Sequence, residues 1–177
     1  MSVLWRKFAK DERDSADLEV NEFCYDLIVN RNYEVAEAIL SFTTQVLKRG
    51  GNDYRRRMMV INQANAVRLQ KREGDANRLL DTEDWSAVKD DIAVSVAAVR
   101  GDVDRLVALM EKIGPNGRPN AEDYRTWPVF RGLRSNARFK EKFQSVFGES
   151  VILPKEVEIE VMPVGIEEPQ IPKNKMN

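Results

Sequence analysis

Histidine is missing from all 177 residues, and cysteine occurs once, as Cys24. The first absence removes the most frequent general base, the usual switch near neutral pH and the most frequent metal ligand. The second excludes an intramolecular disulfide, points to a reducing compartment, and leaves a zinc site to be built mostly from carboxylates, an unusual donor set for that ion. Long apolar runs are missing too. No stretch approaches the roughly 20 residues of a membrane span, and the opening "MSVLWRKFAKDERD" has no secretory core. Charge of one sign is not in excess: 28 Lys and Arg meet 29 Asp and Glu, a net of −1. No overall field therefore draws the chain to nucleic acid or to an anionic membrane. These absences describe a cytoplasmic, non-catalytic protein with no cofactor or metal. An enzyme using carboxylates alone, or a helper subunit for an enzyme, is the remaining catalytic reading.

What is present is helical periodicity. In "NEFCYDLIVNRNYEVAEAILSFTTQVL" apolar residues recur three and four apart, at Phe23, Leu27 and Ile28 and then at Tyr33, Ala36, Ile39 and Leu40. "NRN" at 30–32 breaks the pattern, with Asn32 placed to cap the second helix, so the segment reads as a helical hairpin. A second hairpin follows around Met59, Val60, Ala64 and Val67, with Gly74-Asp75 as its turn before Ala76, Leu79 and Leu80. A third runs from Ile92 to Ile113 about Gly101-Asp102, and "GPNGRP" (114–119) is a loop by composition. Trp127, Phe130 and Leu133 then give one apolar face, "SNA" (135–137) turns the chain, and Phe139, Phe143, Val146 and Phe147 give the next, ending at Gly148.

Four hairpins at intervals of about 30–40 residues predict an all-α fold of stacked helical hairpins over residues 21–149. An irregular all-α domain is the plainer alternative. Residues 1–20 form a lead-in with a short helix expected around Leu4 to Phe8. Residues 150–177 hold four of the seven prolines and form an irregular tail. Its "EVEIEVMPV" alternates Val157, Ile159 and Val161 with glutamates, a single strand that can pack on the helices, join a partner's sheet or stay disordered.

"RNYEVAEAIL", with Tyr33, Ala36 and Leu40, resembles the turn and second-helix opening of a tetratricopeptide repeat, and "KREGDANRLL" and "VRGDVDRLVALM" are similar to it. The resemblance covers about residues 20–148 and implies an α-solenoid whose inner surface is lined by the first helix of each hairpin. That register places Asn62, Asn65 and Arg68 along the inner face of the second hairpin, where two amides and a guanidinium suit a partner's backbone and carboxylates. Arg125 and Arg131 extend that surface. The other reading is an ordinary solvated face. The last repeat of such an array has no neighbour, which accounts for four of seven phenylalanines falling within residues 126–149, as core and cap in preference to a ligand cage.

The expected activity is protein–protein interaction: an acidic or amphipathic segment of a partner held on the inner face. The alternative is nucleic-acid binding, because residues 48–78 carry a net +6 and residues 125–142 a net +5, mostly arginine. Compensation by neighbouring acidic helices explains the same zones. Asp102 and Asp104 suit a helix start, "GGN" and "GPNGRP" lack the lysine and hydroxyl of a phosphate loop, and Cys24 falls on a buried face. The partner's identity and the oligomeric state are not encoded in these signals.

Overall fold

The structure is a computed structural model that describes residues 10–47 and 53–151. The expected helix at Leu4 to Phe8 and the alternating segment at 156–164 lie outside the described residues. Eight α-helices and one 3₁₀ helix, without a strand, make up the described residues: α1 Lys10–Val29, α2 Tyr33–Leu47, α3 Asp53–Leu69, α4 Glu73–Leu80, α5 Asp90–Arg100, α6 Val103–Ile113, α7 Ala121–Thr126, the 3₁₀ helix Pro128–Leu133 and α8 Ala137–Phe147. The fold is all-α. None of these helices is long and apolar enough to cross a membrane.

Three helix-to-helix turns share one geometry. Arg31, Lys71 and Gly101 take left-handed φ values of 64°, 66° and 71°. The next residue's N–H then reaches five residues back: Asn32 to the Leu27 carbonyl at 2.8 Å, Arg72 to Val67 at 3.3 Å and Asp102 to Ala97 at 3.0 Å. This arrangement satisfies carbonyls that a helix C-terminus leaves open and aims the chain into an antiparallel second helix. The second turn differs from expectation. It occupies 70–72, with Lys71 in the left-handed position, and Gly74 lies in the first turn of α4. Glycine at 74 drew the reading because it adopts that conformation most readily, yet the packing of α3 on α4 puts the burden on a lysine.

α3 is the centre of the fold, in contact with α1, α2, α4, α5 and the 3₁₀ helix. Every residue from Met59 to Val67 is buried. Its polar members bond within the interior: Gln63 Oε1 accepts from the Thr44 hydroxyl at 3.2 Å, and Asn62 donates to Asn21 at 3.0 Å. α5 is buried in the same way from Ile92 to Val99, and its small residues let α3, α4, α6 and the 3₁₀ helix approach together.

The first half of the fourth hairpin is not one helix through Trp127, Phe130 and Leu133, as their spacing suggested. Trp127 takes an extended conformation at φ −61° and ψ 132° before Pro128, as a residue preceding proline is pressed to do, and the chain resumes as a 3₁₀ turn. α7 starts with a capping box in which Asn120 and Asp123 bond reciprocally at 3.0 Å. Tyr124, Phe130, Phe139 and Phe143 are fully buried, with ring centroids 4.7 Å apart for Tyr124–Phe130 and 6.4 Å for Phe139–Phe143. Their clustering closes this end of the molecule, and Gly148, left-handed at φ 74°, ends α8.

Candidate binding cleft

On one flank of α1, Leu18, Asn21, Glu22 and Tyr25 follow at spacings of three, one and three. On α3, Tyr54, Arg55, Met58, Ile61 and Asn62 do the same at one, three, three and one. Such spacings align side chains along one helix face. The two faces, with Ser95 of α5, Arg118 and Trp127–Val129, enclose a cleft of about 570 Å³. That volume is in the usual range for a ligand or peptide-anchor site.

Its chemistry is apolar and aromatic with a basic side. The Arg118 guanidinium stands 6.0 Å over the Trp127 ring and 3.4 Å from the Asp123 carboxylate. Burial raises the pKa of the Tyr25 hydroxyl, with Asp123 adding to the rise and Arg134 and Arg131 opposing it. Burial also raises Tyr54, aided by Asp91 and opposed by Arg118. Both phenols stay protonated at neutral pH and can donate to a carbonyl or carboxylate. Glu22 is the one carboxylate among the lining residues, and the Ser95 hydroxyl donates to the Asp91 carbonyl at 2.9 Å. Among the described residues, no three His, Cys, Asp or Glu side chains cluster so that they could hold a metal.

Asn62 lines this cleft, with its amide committed to Asn21. Asn65 and Arg68 share its helix but face inward. Asn65 is fully buried, and Arg68 donates to Asn65 Oδ1 at 2.9 Å and to the Val129 carbonyl at 3.0 Å, clamping the 3₁₀ helix to α3. The partner-binding inner face expected there is covered at Asn65 and Arg68 by the 3₁₀ helix that begins at Pro128.

Arg125 fastens the chain after α8. Its guanidinium lies 5.1 Å over Phe143, 3.0 Å from Glu149 and 3.1 Å from the Ser150 carbonyl. Arg131 joins the ends of the molecule, donating to the Tyr33 hydroxyl at 2.8 Å, to the Val29 carbonyl at 3.0 Å and to Ile28 at 3.4 Å. Arg134 donates to the Tyr124 and Trp127 carbonyls at 3.1 and 2.6 Å, and burial with Arg131 beside it lowers its pKa to about 10.

Other arginines and lysines of the two basic zones also have internal partners. Arg56 meets Glu83, Arg72 meets Glu37 and Asp75, Arg78 meets Asp75, Arg138 meets Asp104 and Lys142 meets Glu111. Tyr54, Met58, Arg118 and the cleft-side role of Trp127 were missed in the sequence. Tyr54 and Met58 lie on a flank of α3 and Arg118 and Trp127 lie between helices, positions that the pattern of buried residues does not single out.

Comparison with protein-family models, curated proteins and solved structures finds no match to this chain.

Proposed function

We propose that the chain is a non-catalytic protein–protein interaction module, and that the cleft between α1 and α3 holds a partner's segment. The observation that carries this reading is the pairing of an apolar aromatic lining, from Tyr54 to Trp127, with Arg55 and Arg118. A segment with one or two apolar anchors and a nearby carboxylate fits: rings and methylenes take the anchors, and a guanidinium fork takes the acid. Asn65 Oδ1 and the Arg68 guanidinium support the cleft from behind without touching the partner.

The repeat character belongs to the same proposal. α1, α3 and α5 are the first members of three hairpins with matching turns, and α1 contacts α3 as α3 contacts α5. That is the arrangement by which a tetratricopeptide-like array offers one face built from first helices. Internal pairing of the basic zones leaves less free cationic surface for a nucleic-acid backbone, which favours a protein partner. The single buried thiol, Cys24, suits a cytoplasmic setting.

The test is quantitative affinity capture from the native host with the intact protein and with Tyr54→Ser/Arg118→Ala, after matching their thermal melts. A protein enriched by the intact form and reduced about tenfold by the variant, roughly 1.4 kcal/mol, is the expected result. Equal enrichment of every protein by both forms would place the binding surface elsewhere.

A further inference from the structure

Three side chains around the α1–α3 cleft carry charge: Glu22, Arg55 and Arg118. They are not spread evenly along α3. Asn62 Nδ2 donates to Asn21 Oδ1 at 3.0 Å, which brings α1 and α3 together at that level. Glu22 follows Asn21 directly, so α1 carries its carboxylate close to the level of Asn62. Arg55 stands seven residues before Asn62, two turns and about 10 Å along the α3 axis. Arg118 belongs to the Arg55 end, since its charge acts on the hydroxyl of Tyr54, the neighbour of Arg55. The cleft is therefore positive at one end and negative at the other, with Met58 and Ile61 of α3 between them.

The two ends differ in what already holds them. Arg118 lies 3.4 Å from the Asp123 carboxylate and 6.0 Å from the Trp127 ring, so its guanidinium is oriented before a partner arrives. Glu22 is exposed and makes no hydrogen bond or ion pair with a described residue. Its own helix offers no cation either. The positions three and four residues away hold Leu18, Glu19, Tyr25 and Asp26, and the two like charges among them disfavour an acid at 22. A cation brought from outside would balance it.

On the reading that this cleft holds a partner's segment, we propose that the segment carries a basic residue as well as an acid, and that Glu22 is the specificity-determining residue for the base. The acid meets Arg55 and Arg118 while the base meets Glu22, about 10 Å away. That separation is three residues of extended chain at about 3.3 Å each. The apolar anchor lies between the two charges, over Met58 and Ile61. A segment laid in the opposite sense sets base against guanidinium and acid against Glu22. The charge pair thus fixes the direction of binding and rejects segments that are acidic throughout.

A random peptide library displayed on phage and panned against the full chain tests this without a known partner. Cleft-dependent peptides are those whose binding falls about tenfold on Tyr54→Ser/Arg118→Ala, with thermal melts of all variants matched to the parent. They should carry Asp or Glu and Lys or Arg three positions apart around an apolar residue. Their affinity should fall about tenfold on Glu22→Lys and by less on Glu22→Gln, and panning on Glu22→Lys should return an acid in place of the base. Cleft-dependent peptides that lack a base, or that bind Glu22→Lys as tightly as the parent, would overturn the role of Glu22 and leave the cleft itself standing. Peptides that all bind Tyr54→Ser/Arg118→Ala unchanged would overturn the cleft and the role of Glu22 together.

Discussion

Arg131 ties the first hairpin to the segment after Pro128, across about a hundred residues of sequence, and its removal is the sharpest probe of how the ends of this fold cohere. Two of its bonds are well formed, at 2.8 Å to the Tyr33 hydroxyl and 3.0 Å to the Val29 carbonyl; the contact to Ile28 at 3.4 Å adds little. A hydrogen bond from a charged donor contributes about 1.5–3 kcal/mol, and partial solvent exposure puts each of these at or below the low end. The cation also faces the open carbonyls of the α1 C-terminus, which adds about 0.3–1 kcal/mol. Arg131→Ala should therefore cost about 2–3 kcal/mol, lowering the melting temperature by roughly 5–10 °C for a domain of this size. Arg131→Lys should recover only part of the loss, because an ammonium cannot spread over two acceptors as a fork does. Circular dichroism gives the melt, and hydrogen exchange should speed up at the amides of Leu27 to Ala36. If Arg131→Ala melts within about 1 °C of the parent, the hairpins do not need this bridge and the reasoning fails.

Other perturbations follow from the same geometry. Asn65→Ala with Arg68→Ala should lower urea stability by about 2–4 kcal/mol, since the Arg68 bond to the Val129 carbonyl and the Asn65 bond that holds Arg68 are both internal; unchanged stability would show that the clamp contributes nothing. Phe143→Ala, at a fully buried ring, should cost about 3–5 kcal/mol in the same assay. Lys71→Gly should gain up to about 1 kcal/mol by relieving a left-handed lysine, and a lower melting temperature would contradict the turn geometry. Burial raises the Cys24 thiol to about 11 from 9.0, so in the folded protein it should react with iodoacetamide at pH 8 about a hundredfold more slowly than a free cysteine. Because the folded pKa is the higher one, this group leaves stability untouched below pH 9 and erodes it as pH rises through about 11. Cys24→Ala should flatten that alkaline loss in denaturation curves taken from pH 8 to 11.

Some of this was legible in the sequence because it depends on neighbours along the chain. The hairpins about 30–32 and 100–102, the turn at 135–137 and Gly148 as the end of α8 follow from spacing and left-handed propensity, which act within a few residues. The all-α character has the same local origin.

The cleft and the roles of the arginines were not legible, because they depend on which helix flanks meet. Asn62, Asn65 and Arg68 make one stripe on α3, yet the 3₁₀ helix covers the deeper two and leaves Asn62 on the cleft. Arg131 and Arg125 read as surface charge until the chain placed carbonyls from residues 28–29 and 150 beside them. Residue order alone determined that this protein is helical, where most of its helices turn, and that histidine chemistry is excluded. Tertiary structure alone decided which polar residues are buried and which aromatic flanks face each other, because burial is set by contacts between segments that local propensity does not bring together.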